Sequence, residues 1–258
     1  MKTTAVATPQ QLRKLFVLIS IILLVLLFST QTGTLKAANF LVDSLGQESD
    51  ETVGDGICAT VLGEGTLRAA LEEANSTPVS DTIEFVPGLT GAINITQPLI
   101  ISADTDVVGP GATAITIQGN LETRLFEIGS SDGDPGTPLV TMNGLTLRDG
   151  RTAPGEAGGA INVEGALTLD GMVFIDNASS GNGGAINGAG APLRLFNSTF
   201  QNNIANSGAS PTADIRGGAV HHTSTLIVDG STFVNNSVQL SSDGRGGAIY
   251  SASSTNID

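Results

Sequence analysis

Four times in its second half the chain writes Gly-Gly-Ala followed by Ile or Val: Gly158-Gly159-Ala160-Ile161, Gly183-Gly184-Ala185-Ile186, Gly217-Gly218-Ala219-Val220 and Gly246-Gly247-Ala248-Ile249. Three copies are answered 16 or 17 residues later by Phe-x-(Asp/Asn)-Asn, at Phe174-Ile175-Asp176-Asn177, Phe200-Gln201-Asn202-Asn203 and Phe233-Val234-Asn235-Asn236. A recurring unit of this size marks a solenoid, in which each repeat buries its apolar face only against its neighbours. In a β-solenoid equivalent residues stack about 4.8 Å apart. Phe174, Phe200 and Phe233 are then expected to stack in the core. Asn177, Asn203 and Asn236 are expected to hydrogen-bond along the axis, and the leading glycines Gly158, Gly183, Gly217 and Gly246 to make a tight turn.

The alignment extends outwards from these motifs. Leu145 to Gly150 matches Met172 to Asn177, so one rung precedes the first Gly-Gly-Ala. Asn143-Gly144, Asp170-Gly171, Phe196-Asn197 and Asp229-Gly230 fall at equivalent places, and three of these pairs are Asn-Gly or Asp-Gly, which tolerate the positive φ of a corner. Repeat length varies between the Asn pair and the next Gly-Gly, so that segment, Ile204 to Arg216 for example, reads as the loop-bearing face. From about Thr82 short β-type segments follow one another, broken by Gly, Pro, Asp or Asn. Ile257-Asp258 aligns with Val228-Asp229, so the chain stops in mid-repeat and a longer protein is expected.

One helix stands before the repeats. Leu67, Ala70, Leu71 and Ala74 share a face within Thr66 to Asn75. Leu67 and Leu71 are expected to lie over the open end of the shaft and protect its strand edges. The loop from Gly46 to Gly56 reads as acidic and flexible. Residues 1–38 carry a basic start, an apolar run from Leu15 to Phe28 and a polar stretch ending at Ala37-Ala38. That is the layout of a secretory signal, its run shorter than the ~20 residues of a bilayer span; the rival reading is an uncleaved N-terminal anchor. The expected organisation is a signal or anchor over 1–38, a cap over 39–81 and a β-helix over 82–258.

All three Lys and one Arg lie in that first segment, which leaves 7 Arg against 25 acidic residues, a net of −18. Nucleic acid and anionic lipid are poor partners for such a chain. Hydrophobic residues make up 40% of the sequence and recur in register, which excludes disorder. Cys58 is the only cysteine, so no internal disulfide framework exists, and a buried, inert thiol is expected.

Two resemblances rest on these residues. Asp55-Gly56-Ile57-Cys58 followed by Thr66-Leu67-Arg68-Ala69-Ala70-Leu71-Glu72-Glu73-Ala74-Asn75 resembles the CSLREAI domain of bacterial surface proteins. That family's motif begins with Cys where this chain has Gly65, so its two-cysteine pairing cannot form. The Gly-Gly-Ala-Ile and Phe-x-x-Asn repeats resemble those of polymorphic outer membrane proteins, which implies an exported, right-handed β-helix of adhesin type. The expected fold is therefore all-β, a single-stranded right-handed parallel β-helix with one short N-terminal capping helix. The resemblance implies a protein secreted by a bacterium or held at its cell surface or outer membrane.

A polysaccharide lyase needs acids to hold calcium and a Lys or Arg to take the proton. The best local candidates are Asp214, Arg216, Asp243 and Arg245, from Asp-x-Arg-Gly-Gly-Ala written twice; the bland alternative is an ion-pair ladder at the turn. A hydrolase wants clustered carboxylates, but Asp170 and Asp229 are equivalent turn residues. His221 and His222 point to opposite faces of a strand and do not clamp one metal. Asp132 and Asp134 offer calcium two carboxylates, too few for a closed site, and no other cofactor is expected. The function expected is a non-enzymatic, adhesin-like scaffold that binds a glycan or protein partner. It would touch membrane only through its N-terminal segment or a C-terminal anchor. The alternative is a polysaccharide lyase or glycoside hydrolase acting on an acidic polysaccharide.

Overall fold

Strands of three to five residues separated by turn formers cannot build a wide sheet one after another, but they can each join a different sheet and return. A computed structural model describes residues 36–129, 137–206, 214–239, 244–253 and 255–257, and shows this arrangement. The first sheet takes eight strands: Asn39–Val42, Asp81–Phe85, Thr105–Val108, Leu139–Asn143, Ala166–Asp170, Leu193–Phe196, Leu226–Asp229 and Thr255–Ile257. The second takes Gly91–Asn94, Ile115–Gln118, Thr146–Arg148, Val173–Ile175, Thr199–Gln201 and Thr232–Val234. The third takes Leu99–Ile101, Phe126–Ile128, Ile161–Val163, Ile186–Gly188, Val220–His222 and Ile249–Ser251. A fourth, of three strands, takes Ala178–Ser179, Ile204–Asn206 and Ser237–Gln239. The chain visits the sheets in turn and the strands pair in parallel throughout, which makes the molecule a parallel β-helix.

Alternate residues of each strand point inwards and form columns. One runs Ile93, Ile117, Leu147, Phe174, Phe200, Phe233 in strict register. Within it Phe174 and Phe200 stack with centroids 4.5 Å apart, and Phe200 and Phe233 with centroids 4.7 Å apart, each pair parallel to within 2°. The rings take the spacing that the backbone ladder sets rather than an edge-to-face arrangement. Full burial of such a ring, as at Phe174 and Phe200, is worth about 1.5–3 kcal/mol.

Corners follow from local chemistry. Between the first and second sheets Gly144, Gly171, Asn197 and Gly230 all take φ between 47° and 59°. After the second sheet the first residue of each Asn pair, or its equivalent, does the same: Asp149, Asp176, Asn202 and Asn235 have φ of 53° to 56°. These residues make the corner, and only the second residue of each pair turns inwards. The segment beginning at Ile204 opens as a strand of the fourth sheet, not as a loop, because Ala178 and Ser179 of the preceding rung offer it unpaired backbone.

The helix α1, Leu67–Asn75, is capped by Thr66, whose Oγ1 accepts from Ala69 N at 3.0 Å. It packs on Asn39–Val42, Asp81–Phe85 and Leu99–Ile101, with Leu67 and Leu71 fully buried in the core. The acidic loop before it is tied down rather than loose. Glu73, fully buried, accepts from Gly54 N at 2.6 Å and Gly56 N at 2.8 Å, while Glu72 accepts from Asp50 N at 2.8 Å. Cys58 is half-buried, its Sγ 3.6 Å from the Leu41 carbonyl, and partial desolvation raises its pKa. No helix among the described residues is long and apolar enough to cross a membrane. The segment read as a signal or anchor lies outside the described residues, apart from its last three.

Candidate functional site

The second asparagine of each pair has a carboxamide that must find partners inside the wall. Asn203 Oδ1 accepts from Asn177 N at 3.1 Å and from Asn177 Nδ2 at 2.9 Å. Asn203 Nδ2 donates to Phe174 O at 3.1 Å and to Asn236 Oδ1 at 2.9 Å. Asn177 repeats the pattern on Leu147 O and Gly150 N, and Asn236 on Phe200 O. Asn177 and Asn203 thus each link the rung before to the rung after.

The leading glycines Gly158, Gly183, Gly217 and Gly246 take φ between 63° and 70°. A Cβ on the second glycine of the first three motifs would strike the next rung; at Gly184 it would lie 2.1 Å from Gly218 O and 2.5 Å from Ile204 N. These residues set the backbone of the corner and present no functional group.

Outward from that corner, the middle residues of the last five third-sheet strands form a polar column: Glu127, Asn162, Asn187, His221, Tyr250. Asn162 Nδ2 donates to Glu127 Oε1 and Asn187 Nδ2 to Asn162 Oδ1, both at 2.8 Å. His221 Nδ1 lies 2.9 Å from Asn187 Oδ1, and its ring stacks on Tyr250 with centroids 5.4 Å apart. The column is clasped at both ends by arginine. Arg124 pairs with Glu127 and Glu156 and donates to the carbonyls of Gly158 and Ala157. Arg216 lies over Tyr250, 4.8 Å from the ring centroid, and donates to Tyr250 Oη at 3.2 Å.

Arg216 also forms an ion pair with Asp214, and its backbone bridges to Arg245 in parallel register. The two arginines of the candidate lyase constellation are therefore adjacent in the stack. Asp243 lies outside the described residues, as do Asp132 and Asp134. The Arg216 guanidinium beside it holds the Asp214 carboxyl below the usual carboxylate range, and Asp214 in turn raises the Arg216 pKa. An arginine bound this way keeps its proton and serves as an electrostatic group rather than a base.

His221 and His222 diverge as neighbours on a strand must. His221 faces outwards under Arg216 and Tyr250; burial first, then the charge of Arg216, lowers its pKa to about 4. His222 points inwards, 1% exposed, in the column Val163, Gly188, His222, Ser251. Its ring fills the space left by Gly188, where an added Cβ would lie 2.5 Å from His222 Nδ1. Neither ring nitrogen has a hydrogen-bond partner among the described residues. The carbonyls of Ala191, Gly188 and Thr225 lie near enough to favour a proton, but burial outweighs them and the pKa falls. Among the described residues no three His, Cys, Asp or Glu side chains gather as metal ligands would.

Arg124, Asn162, Asn187 and Tyr250 escaped the reading of the sequence as functional candidates. Three of them carried a signal: Asn162, Asn187 and Tyr250, like His221, each follow Gly-Gly-Ala-(Ile/Val) directly, so repeat alignment places them in one column. Comparison with curated proteins and with solved structures finds no match for the chain. Residues 230–252 match the model of the Chlamydia polymorphic membrane protein repeat, so the rung that runs from Gly230 through Phe233 and Asn236 to the last Gly-Gly-Ala-Ile is a repeat of that type.

Proposed function

We propose that this chain is a non-enzymatic β-helix scaffold of a bacterial surface, whose rung faces bind a glycan or protein partner. The observation that carries the reading is the closure of Arg216 on Asp214 and on the ring of Tyr250. The arginine that a lyase would use as its base is held protonated, and its carboxylate is engaged in an ion pair. The match of residues 230–252 to a membrane-protein repeat supports location at the bacterial surface. The cap with α1 fits a CSLREAI-like beginning to such a protein, and residues 1–38 fit an export segment.

Binding of the full chain to an array of acidic and neutral polysaccharides and surface proteins, followed by product analysis with and without calcium, tests the proposal. Saturable binding without new reducing ends or unsaturated sugars is expected. Turnover that disappears in Arg216→Ala would overturn it in favour of a lyase.

A further inference from the structure

The short fourth sheet faces outwards over a groove of about 360 Å³. Two rows of side chains make it. Arg151 bridges to Ala178, which pairs with Ile204, so these three form one row along the axis. Ser180, Asn206 and Gln239 form the other, since Asn206 pairs with Gln239 and Ser180 follows the residue paired with Ala205. Ala178 is small and lies between Arg151 and Ile204, which opens the depression. The rungs it crosses span roughly 10 Å at the inter-strand spacing.

The groove carries a positive charge that no described residue neutralises. In a chain with a large acidic excess, Arg68, Arg124, Arg148 and Arg216 are all engaged by backbone carbonyls or carboxylates. The Arg151 guanidinium has no hydrogen bond or ion pair to any described residue and is exposed at the groove. Among the described residues no carboxylate lines the groove. The remaining lining is an apolar floor, Ala178 and Ile204, beside a row of hydroxyl and carboxamide groups. An apolar floor suits the C–H face of a pyranose ring, the polar row its hydroxyls, and a planar guanidinium binds a carboxylate or sulfate through two parallel bonds.

We infer that this groove is a binding subsite for a short stretch of an acidic glycan, with Arg151 taking the anionic group and Ser180 and Gln239 the hydroxyls. The inference rests on the binding-scaffold reading and names the ligand class for one face of it.

The test is titration calorimetry of the full chain with trigalacturonate, its methyl ester and a heparin-derived tetrasaccharide, for the natural protein, Arg151→Gln and Ala178→Leu. At least one anionic oligosaccharide should bind more tightly than the neutral ester, and comparison of the two shows whether carboxylate or sulfate is preferred. Arg151→Gln should weaken the anionic ligand about tenfold and leave the ester unchanged, as expected for loss of one charge-assisted contact. Ala178→Leu, which fills the floor, should abolish both. An unchanged thermal midpoint in Arg151→Gln shows that folding is not at issue. Binding of the ester equal to that of the acids, or an Arg151→Gln affinity equal to the natural one, overturns the inference. Release of products from trigalacturonate would instead overturn the non-enzymatic reading while leaving groove binding intact.

Discussion

Replacing Asn203 with Ala isolates the contribution of the internal amide column. The side chain makes four hydrogen bonds and is fully buried. Its loss leaves the Asn177 main-chain N–H without its side-chain acceptor, whereas Asn177 Nδ2 keeps Leu147 O and Asn236 Oδ1 keeps the Asn203 N–H at 2.9 Å. One orphaned buried donor costs about 1–3 kcal/mol, and each of the other three bonds contributes about 0.5–1.5 kcal/mol net. The expected destabilisation is about 4 kcal/mol. The neighbour Asn202 provides the control, since it is a corner residue at φ 56° whose Nδ2 makes one bond, to Asp176 Oδ1 at 3.1 Å. Asn202→Gly keeps the permissive backbone and should cost under about 1 kcal/mol. Urea unfolding followed by circular dichroism measures both. Hydrogen exchange should show protection lost around Phe174–Asn236 and retained around α1, because rungs couple chiefly to their neighbours. A cost for Asn203→Ala no larger than that of Asn202→Gly would refute the argument that the buried amide column contributes several kcal/mol to the cohesion of these rungs.

Two further outcomes follow from buried groups. His221 has a folded pKa near 4 against 6.5 unfolded, so below 6.5 the unfolded chain takes a proton that the folded chain refuses. Stability should be level above pH 6.5 and fall towards pH 4.5, by about 2 kcal/mol for this residue. His222, lowered in the same direction, adds to the slope; His221→Gln and His222→Met should each flatten the urea-midpoint profile, and an unchanged profile in both variants would count against the burial argument. Gly184→Ala sets a methyl group against three backbone atoms of the next rung and should destabilise by about 3 kcal/mol, read as a lowered thermal midpoint. Ala at Gly155, where nothing lies within 4 Å, is the comparison and should change it far less despite a φ of 85°.

The columns were legible because periodic identity survives in sequence. Phe174, Phe200 and Phe233 are the same residue at the same phase, and the corner pairs from Asn143-Gly144 to Asp229-Gly230 carry their own turn chemistry. The fourth sheet was not legible, since strands as short as Ala178–Ser179 have no period to detect. Glu73 was missed for another reason. A carboxylate on a helix reads as polar and exposed, and its partners here are backbone amides of Gly54 and Gly56, which no side-chain pattern reports. Arg124 likewise acts on carbonyls 33 and 34 residues away, at Ala157 and Gly158. Of the candidate constellation, the adjacency of Arg216 and Arg245 followed from the repeat, while the ring of Tyr250 between arginine and histidine needed the register.

A stack of near-identical rungs has a problem of address. The Phe and Asn columns would accept one another in almost any order, so they supply adhesion but cannot say which rung belongs on which. The pairing of Gly188 with His222 can. A missing side chain on one strand receives an oversized ring from the next, and no other described rung offers that vacancy to that ring. If the chain skipped a rung while stacking, His222 would meet Val163, which occupies the same column without a gap. The unsatisfied nitrogens of that histidine are then the local expense of a label that keeps a repetitive chain in its proper sequence.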